Sequence, residues 1–155
     1  MSPLPIPDAQ WNPQGKSPGR FSVKFGVDLS LLQPGGARIL SVAASAPLYL
    51  GFDVTVTCGR EAHGPTDPHT MGNALDIRVL GLSVEDILLL YGFLSTTLGN
   101  LFTVLLEWPP PKEGEPPLDP RIESLRYKGA TAATAPHLHV QVRKGLQFPS
   151  AGSVG

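Results

Sequence analysis

The chain has 155 residues, of which 41% are hydrophobic, and carries a formal net charge of -1 at pH 7. That length supports one domain with a single core, and the absence of a lysine or arginine block argues against a nucleic-acid partner or an anionic membrane surface. A single cysteine, Cys58, excludes an intramolecular disulfide framework.

Residues 1–20 are rich in proline and show little hydrophobic periodicity, which predicts an extended N-terminal arm. Such an arm is either disordered or packed on an assembly partner. It has neither the basic start nor the apolar run of a secretory signal, and no stretch approaches the ~20 apolar residues of a membrane-spanning helix. We therefore expect no membrane partner and a protein that is made and kept soluble.

Residues 21–147 carry the periodic segments of the main domain. The segment Phe21–Phe25 alternates like a short strand, and a helix is predicted to begin at Pro34 and to stop near Pro47. A second helix is predicted from Val84 to Leu98, because Ser83 and Asp86 resemble a capping box and Gly99 can close it. Further strands are predicted at 52–57, 74–79, 101–108 and 138–142.

The proline-rich segment 109–136 predicts an insertion loop at the surface, and residues 148–155 predict a flexible tail. Together these segments predict an α+β fold with a small antiparallel sheet of about four strands and two main helices.

Two short motifs hold most of the histidines: His69-Thr-Met-Gly-Asn-Ala-Leu-Asp76 and His137-Leu-His139. Imidazole and carboxylate are ordinary zinc ligands, and a catalytic zinc site uses three protein ligands and keeps a fourth position open. Strand alternation places both rings of the second motif on one face, so that one can bind metal while the other faces substrate. Gly72 permits a tight turn in the first motif. The combination predicts a mononuclear zinc site.

The first motif matches the His-x-x-Gly-x-Ala-x-Asp signature of the zinc D-alanyl-D-alanine carboxypeptidases and related peptidoglycan endopeptidases, and residues 136–142 match their closing His-x-His strand. Over residues 21–145 the chain resembles this superfamily. It is more similar still to the branch with the hedgehog amino-terminal signalling domain and small phage or bacterial peptidases. In that branch a strand ending in glutamate precedes His-x-His, as Glu107 does here.

The resemblance implies roles for individual residues. His69, Asp76 and His139 would be the zinc ligands. The general base would be Glu107, or His137 in its place, and His137 would otherwise lie beside the substrate.

An arginine in the position of Arg60 would bind a substrate carboxylate or polarise the scissile carbonyl. The chain departs from the superfamily at Asp67, where serine or threonine is frequent, and in the long insertion between Glu107 and His137.

The implied function is a zinc-dependent peptidase that hydrolyses peptide bonds of peptidoglycan stem peptides, as a carboxypeptidase or an endopeptidase. Its partner would be the cell-wall peptide. Because no signal peptide is expected, a phage lysis enzyme that stays cytoplasmic until release, or a virion-borne enzyme, would fit. The alternative is a non-catalytic metal-binding structural or assembly protein of a virion, with partners on the proline-rich arm.

Two further residues receive simpler interpretations. His63 lies in a Gly/Pro-rich loop and is expected to be solvated. Cys58 follows a strand that should be buried, so we expect a small core residue rather than a nucleophile.

Overall fold

A computed structural model describes residues 10–61, 64, 66–129 and 135–144. His63, residues 1–9 of the predicted arm and the predicted tail 148–155 lie outside these ranges. The elements in chain order are β1 (Phe21–Val23), α1 (Pro34–Leu50), β2 (Val54–Cys58), β3 (Ala74–Arg78), α2 (Val84–Leu98), β4 (Phe102–Glu107), α3 (Pro120–Leu125) and β5 (His137–Val142).

The α+β class is confirmed, but the described sheet has five strands, in the order β1-β2-β3-β5-β4, and is mixed. The expected sheet of about four antiparallel strands is therefore corrected in the number of strands and in the direction of β1, which is parallel to its neighbour. Strand β1 joins the edge beside β2, and the two run parallel. Parallel neighbours need a crossover connection, and α1 provides it between β1 and β2.

Helix α2 has the bounds that the sequence predicts, and the Ser83 hydroxyl accepts a hydrogen bond from the backbone N–H of Asp86 at 3.1 Å. Helix α1 does not stop at Pro47 but runs on to Leu50, where Gly51 ends it with φ 75°. The ring of Pro47 removes one N–H from the helix, while its carbonyl still accepts from Gly51. No helix among the described residues is both long and apolar enough to cross a membrane.

A third helix, α3, lies within the predicted insertion loop. Asp119 accepts a side-chain hydrogen bond from the backbone N–H of Arg121 at 2.8 Å, and Pro120 occupies the first turn. Both residues are common at helix starts. The insertion is therefore partly helical.

The hydrophobic core lies between the helices and one face of the sheet. Ile77 of β3 pairs with Val56 of β2 and Leu138 of β5, and Leu138 pairs with Leu106 of β4. All four side chains are buried together with residues of α1 and α2. Because side chains alternate along a strand, the intervening residues of β3, β4 and β5 point to the opposite face. The candidate site lies on that second face.

Candidate metal centre

The sheet register brings the polar side chains together. Asp76 of β3 lies directly opposite His139 of β5, and His137 lies directly opposite Glu107 of β4. Each of the four alternates with a core residue along its strand, so all four share the face away from the core. The spacing of these groups is therefore set by three paired strands.

The fifth polar side chain, His69, comes from the loop before β3. Gly72 has φ 79°, as the tight turn requires, and its carbonyl accepts from the backbone N–H of Gln33 at 3.0 Å. A Cβ added to Gly36 would lie 2.0 Å from the Gly72 carbonyl oxygen, so the loop and the start of α1 touch backbone to backbone. This contact holds the buried ring of His69 beside Asp76.

Three atoms from His69, Asp76 and His139 form a nearly equilateral triangle. His69 Nε2 lies 3.2 Å from Asp76 Oδ1 and 3.1 Å from His139 Nδ1, and His139 Nδ1 lies 3.1 Å from Asp76 Oδ1. Zinc bonds of about 2.0 to 2.1 Å at tetrahedral angles separate two ligand atoms by about 3.3 Å. The edges of the triangle are close to that separation, so the three atoms could ligate one metal ion.

The outer nitrogens of the two rings fix where the protons reside. His69 Nδ1 lies 3.1 Å from the Gly59 carbonyl oxygen, and His139 Nε2 lies 2.7 Å from Gln141 Oε1. Because both oxygens only accept, each neutral ring carries its proton on the outer nitrogen and presents a lone pair inward. With the Asp76 carboxylate, three acceptor atoms then face one point. A positive charge must lie among them, either a metal ion or an added proton.

The pKa shifts of Asp76 and His139 also favour a positive charge within the cluster. Burial alone would raise the pKa of Asp76, but the contacts with His139 and His69, which donate to Asp76 when the cluster holds an added proton, outweigh burial and place that pKa below its usual range. Burial alone would lower the pKa of His139, but the contacts with Asp76 and Gln141 raise it. The cluster thus favours an ionised carboxylate beside a cation.

A second group of donors adjoins the first. His137 Nε2 lies 2.8 Å from Glu107 Oε1 and 3.5 Å from Asp76 Oδ2, and His137 Nδ1 lies 3.1 Å from the Ala135 carbonyl oxygen. The hydrogen bond from His137 lowers the pKa of Glu107 despite its partial burial. Burial would lower the pKa of His137, but Glu107 and Asp76 raise it. The side chains of His137 and Glu107 are 17% and 16% exposed, so solvent reaches this side of the cluster.

Cys58 is only partly buried and lies beside His69 and Asp76, so it is not the simple core residue that the sequence predicts. A β-bulge between Val56 and Cys58 shifts the register so that Cys58 opposes Asp76. Potential ligand atoms of Cys58, His69 and Asp76 lie within 4.8 Å of one another, and the three could hold a metal ion. Burial, with the nearby charge of Asp76, raises the pKa of the Cys58 thiol. Without a metal the sulfur therefore stays protonated.

The side-chain hydrogen bonds of Arg60 to described residues go to backbone oxygens. Its Nε donates to the Thr70 carbonyl at 3.0 Å, and its Nη1 donates to the Ser30 carbonyl at 3.1 Å. Because Thr70 follows His69, these bonds tie the ligand-bearing loop to the segment before α1. Among the described residues, these bonds do not link Arg60 to the carboxylates or imidazoles of the cluster.

The sequence motifs omit three contributors to the site. Gln141 shares the face of His137 and His139 by strand alternation, so the sequence did contain a signal for it. Gly59 acts through its backbone carbonyl, which a residue type does not reveal. Asp67 accepts from the backbone N–H of His69 at 2.8 Å and so shapes the loop.

Comparisons of the chain with protein-family models, with curated proteins and with solved structures found no match. Besides the triangle of His69, Asp76 and His139, the described residues include two further groups that could hold a metal ion: Cys58, His69 and Asp76, and Asp76, Glu107 and His137.

Proposed function

We propose that the protein is a zinc-dependent peptidase that hydrolyses peptide bonds of peptidoglycan stem peptides. The observation that carries the proposal is the triangle of three inward-facing acceptor atoms from His69, Asp76 and His139, with edges of 3.1 to 3.2 Å. Two imidazoles and one carboxylate are a donor set of catalytic zinc sites, which keep a further position for solvent or substrate.

His69, Asp76 and His139 would hold the zinc ion. When bound, zinc polarises a carbonyl group as a Lewis acid and lowers the pKa of water. Gly59 and Gln141 orient the two rings through their outer nitrogens, which fixes the direction of the ligand lone pairs. The proposed roles of Gly59 and Gln141 are positioning roles.

Glu107 and His137 would handle protons. Their side chains are in hydrogen-bond contact at 2.8 Å and lie beside Asp76 on the solvent-accessible side of the cluster. A proton taken from an attacking water can reside on this pair and return to the leaving amine. Protonated His137 also places positive charge next to a developing oxyanion.

The substrate class comes from the likeness of the two motifs to those of the peptidoglycan peptidases. Arg60 has a different proposed role here from the one that the likeness implies. Because its guanidinium bonds to the Thr70 and Ser30 carbonyls, we assign it the positioning of the His69 loop. A lysis enzyme released from the cytoplasm, or a virion-borne one, remains the proposed setting.

Cleavage of defined muropeptides by the purified chain tests this function. We expect product release that a chelator abolishes and added zinc restores. A Glu107→Gln variant should lose most turnover, because removal of a general base typically costs ~10²-fold to 10⁴-fold. Glu115→Gln is the matched control, since Glu115 is an exposed loop acid whose Oε1 bonds the Lys112 backbone. Equal loss in both variants would contradict the role of Glu107.

A second candidate function is favoured by one observation, the position of Cys58 within 4.8 Å of potential ligand atoms of His69 and Asp76. A thiolate as fourth ligand would close the site, and closed four-ligand zinc sites are structural. The protein would then be a metal-stiffened structural or assembly protein, such as a virion component. Muropeptides left uncleaved by a zinc-loaded chain would favour this alternative.

A further inference from the structure

The two carboxylate oxygens of Asp76 face different partners. Oδ1 lies 3.2 Å from His69 Nε2 and 3.1 Å from His139 Nδ1, whereas Oδ2 lies 3.5 Å from His137 Nε2. Asp76 therefore belongs to two donor groups at once. In the second group, potential ligand atoms of Asp76, Glu107 and His137 all lie within 4.8 Å of one another.

The second group has the same arrangement as the first: an outer hydrogen bond orients a histidine ring whose inner nitrogen faces carboxylate oxygens. The Ala135 carbonyl oxygen, 3.1 Å from His137 Nδ1, can only accept, so a neutral His137 ring presents the lone pair of Nε2. That lone pair faces Glu107 Oε1 at 2.8 Å and Asp76 Oδ2. Three acceptors again converge, and a proton or a metal ion must lie among them. Solvent access at His137 and Glu107 leaves room for water to complete a coordination sphere.

We propose that the cluster is a two-metal centre, in which Asp76 bridges a first ion held with His69 and His139 and a second ion held with Glu107 and His137. Both donor sets mix nitrogen and oxygen, which suits zinc, cobalt or manganese. Hydrolytic two-metal sites hold their ions about 3.5 to 4 Å apart, a distance that one carboxylate can bridge. This inference rests on the proposed function for its first ion. With one ion bound, Glu107 and His137 handle protons as proposed above, and binding of the second ion makes them its ligands instead.

The two sites should differ in affinity. The first has the more buried ligands, with His69 and His139 side chains 4% and 12% exposed, and both rings are oriented by outer-nitrogen hydrogen bonds. The second must displace the proton shared by His137 and Glu107. The two ions should therefore bind in sequence, and the second ion, held by Asp76, Glu107 and His137, should bind with the lower affinity.

The test is a titration of the metal-free full chain with Co²⁺, followed by metal analysis and electron paramagnetic resonance. We expect two ions per chain, and the second equivalent should attenuate the resonance of the first through spin coupling across Asp76. Glu107→Gln and His137→Gln should each bind one ion, with the affinity of the first site retained. Glu115→Gln should still bind two.

One ion in the wild-type chain, two ions without spin coupling, or two ions in a folded Glu107→Gln variant would overturn the proposal. Circular dichroism checks that each variant folds. His137→Gln is an independent test of the second site, because His137 lies on β5 and Glu107 lies on β4. One bound ion with muropeptide cleavage would refute the second site and leave the proposed function intact. Two spin-coupled ions without muropeptide cleavage would support the second site and refute the proposed function.

Discussion

The two faces of strands β3 and β5 differ sharply in chemistry. On one face, Leu75, Ile77, Leu138 and Val140 are fully buried in the hydrophobic core. On the other, alternate residues of the same strands bring ionisable groups within hydrogen-bond distance of one another. Burial of apolar side chains stabilises a fold, whereas buried hydrogen-bond acceptors that face one another destabilise it unless a proton or a metal ion lies between them. Alternation thus lets one pair of strands support the fold on one side and gather candidate cation ligands on the other.

The largest expected effect is on the polar face. His139→Ala should weaken zinc binding by more than ~100-fold, since losing a direct ligand exceeds the ~10 to 100-fold typical of a supporting residue. Competition against a chelator of known affinity measures the change. Zinc affinity within about tenfold of wild type would remove His139 from the ligand set.

On the core face, Ile77→Ala should lower the free energy of unfolding by about 2 to 5 kcal/mol, through lost burial and a residual cavity. Denaturant unfolding of the metal-free protein measures this. Zinc affinity of the folded variant should stay near the wild-type value, because the Ile77 side chain points away from the cluster. A variant that loses zinc affinity as strongly as His139→Ala would show that the two faces are not separable.

Zinc itself should stabilise the folded state. At free zinc of about 100 times Kd, the unfolding free energy should rise by about 2.7 kcal/mol, because the ion binds the assembled cluster and not the unfolded chain. Denaturant curves with and without zinc measure the rise. The same gain in His139→Ala would place the bound ion elsewhere.

The smallest expected effect comes from Gln141. Its Oε1 lies 2.7 Å from His139 Nε2, so Gln141→Leu removes the acceptor that fixes the ring. Zinc affinity should fall by ~10 to 100-fold, and Gln141→Glu, which keeps an acceptor oxygen, should retain most of it. Equal affinities in the two variants would argue against ring orientation as the cause.

Local patterns predicted the part of the fold that local physics decides. The alternation of His137 and His139 placed both rings on one strand face, and Ser83 with Asp86 gave the start of α2. Asp119 and Pro120 also carried a helix-start signal, which the proline-rich composition around them obscured. These features depend on neighbours in sequence, so residue types and spacing reveal them.

Features set by distant contacts were beyond the sequence patterns. The parallel pairing of β1 with β2 depends on where α1 packs, and Pro47 stays helical in a last turn that buries Tyr49 and Leu50. Cys58 faces Asp76 only because a bulge shifts its register, and no residue type marks that bulge. The motifs supplied candidate ligands, but the paired strands determine which donor atoms meet.

The most direct test of the central claim is zinc K-edge X-ray absorption on the chain loaded with one equivalent of zinc. His69, Asp76 and His139 as the only protein ligands predict a first shell of nitrogen and oxygen at about 2.0 to 2.2 Å, with the scattering pattern of two imidazoles. A sulfur atom at about 2.3 Å would contradict the account, because Cys58 would then close the site.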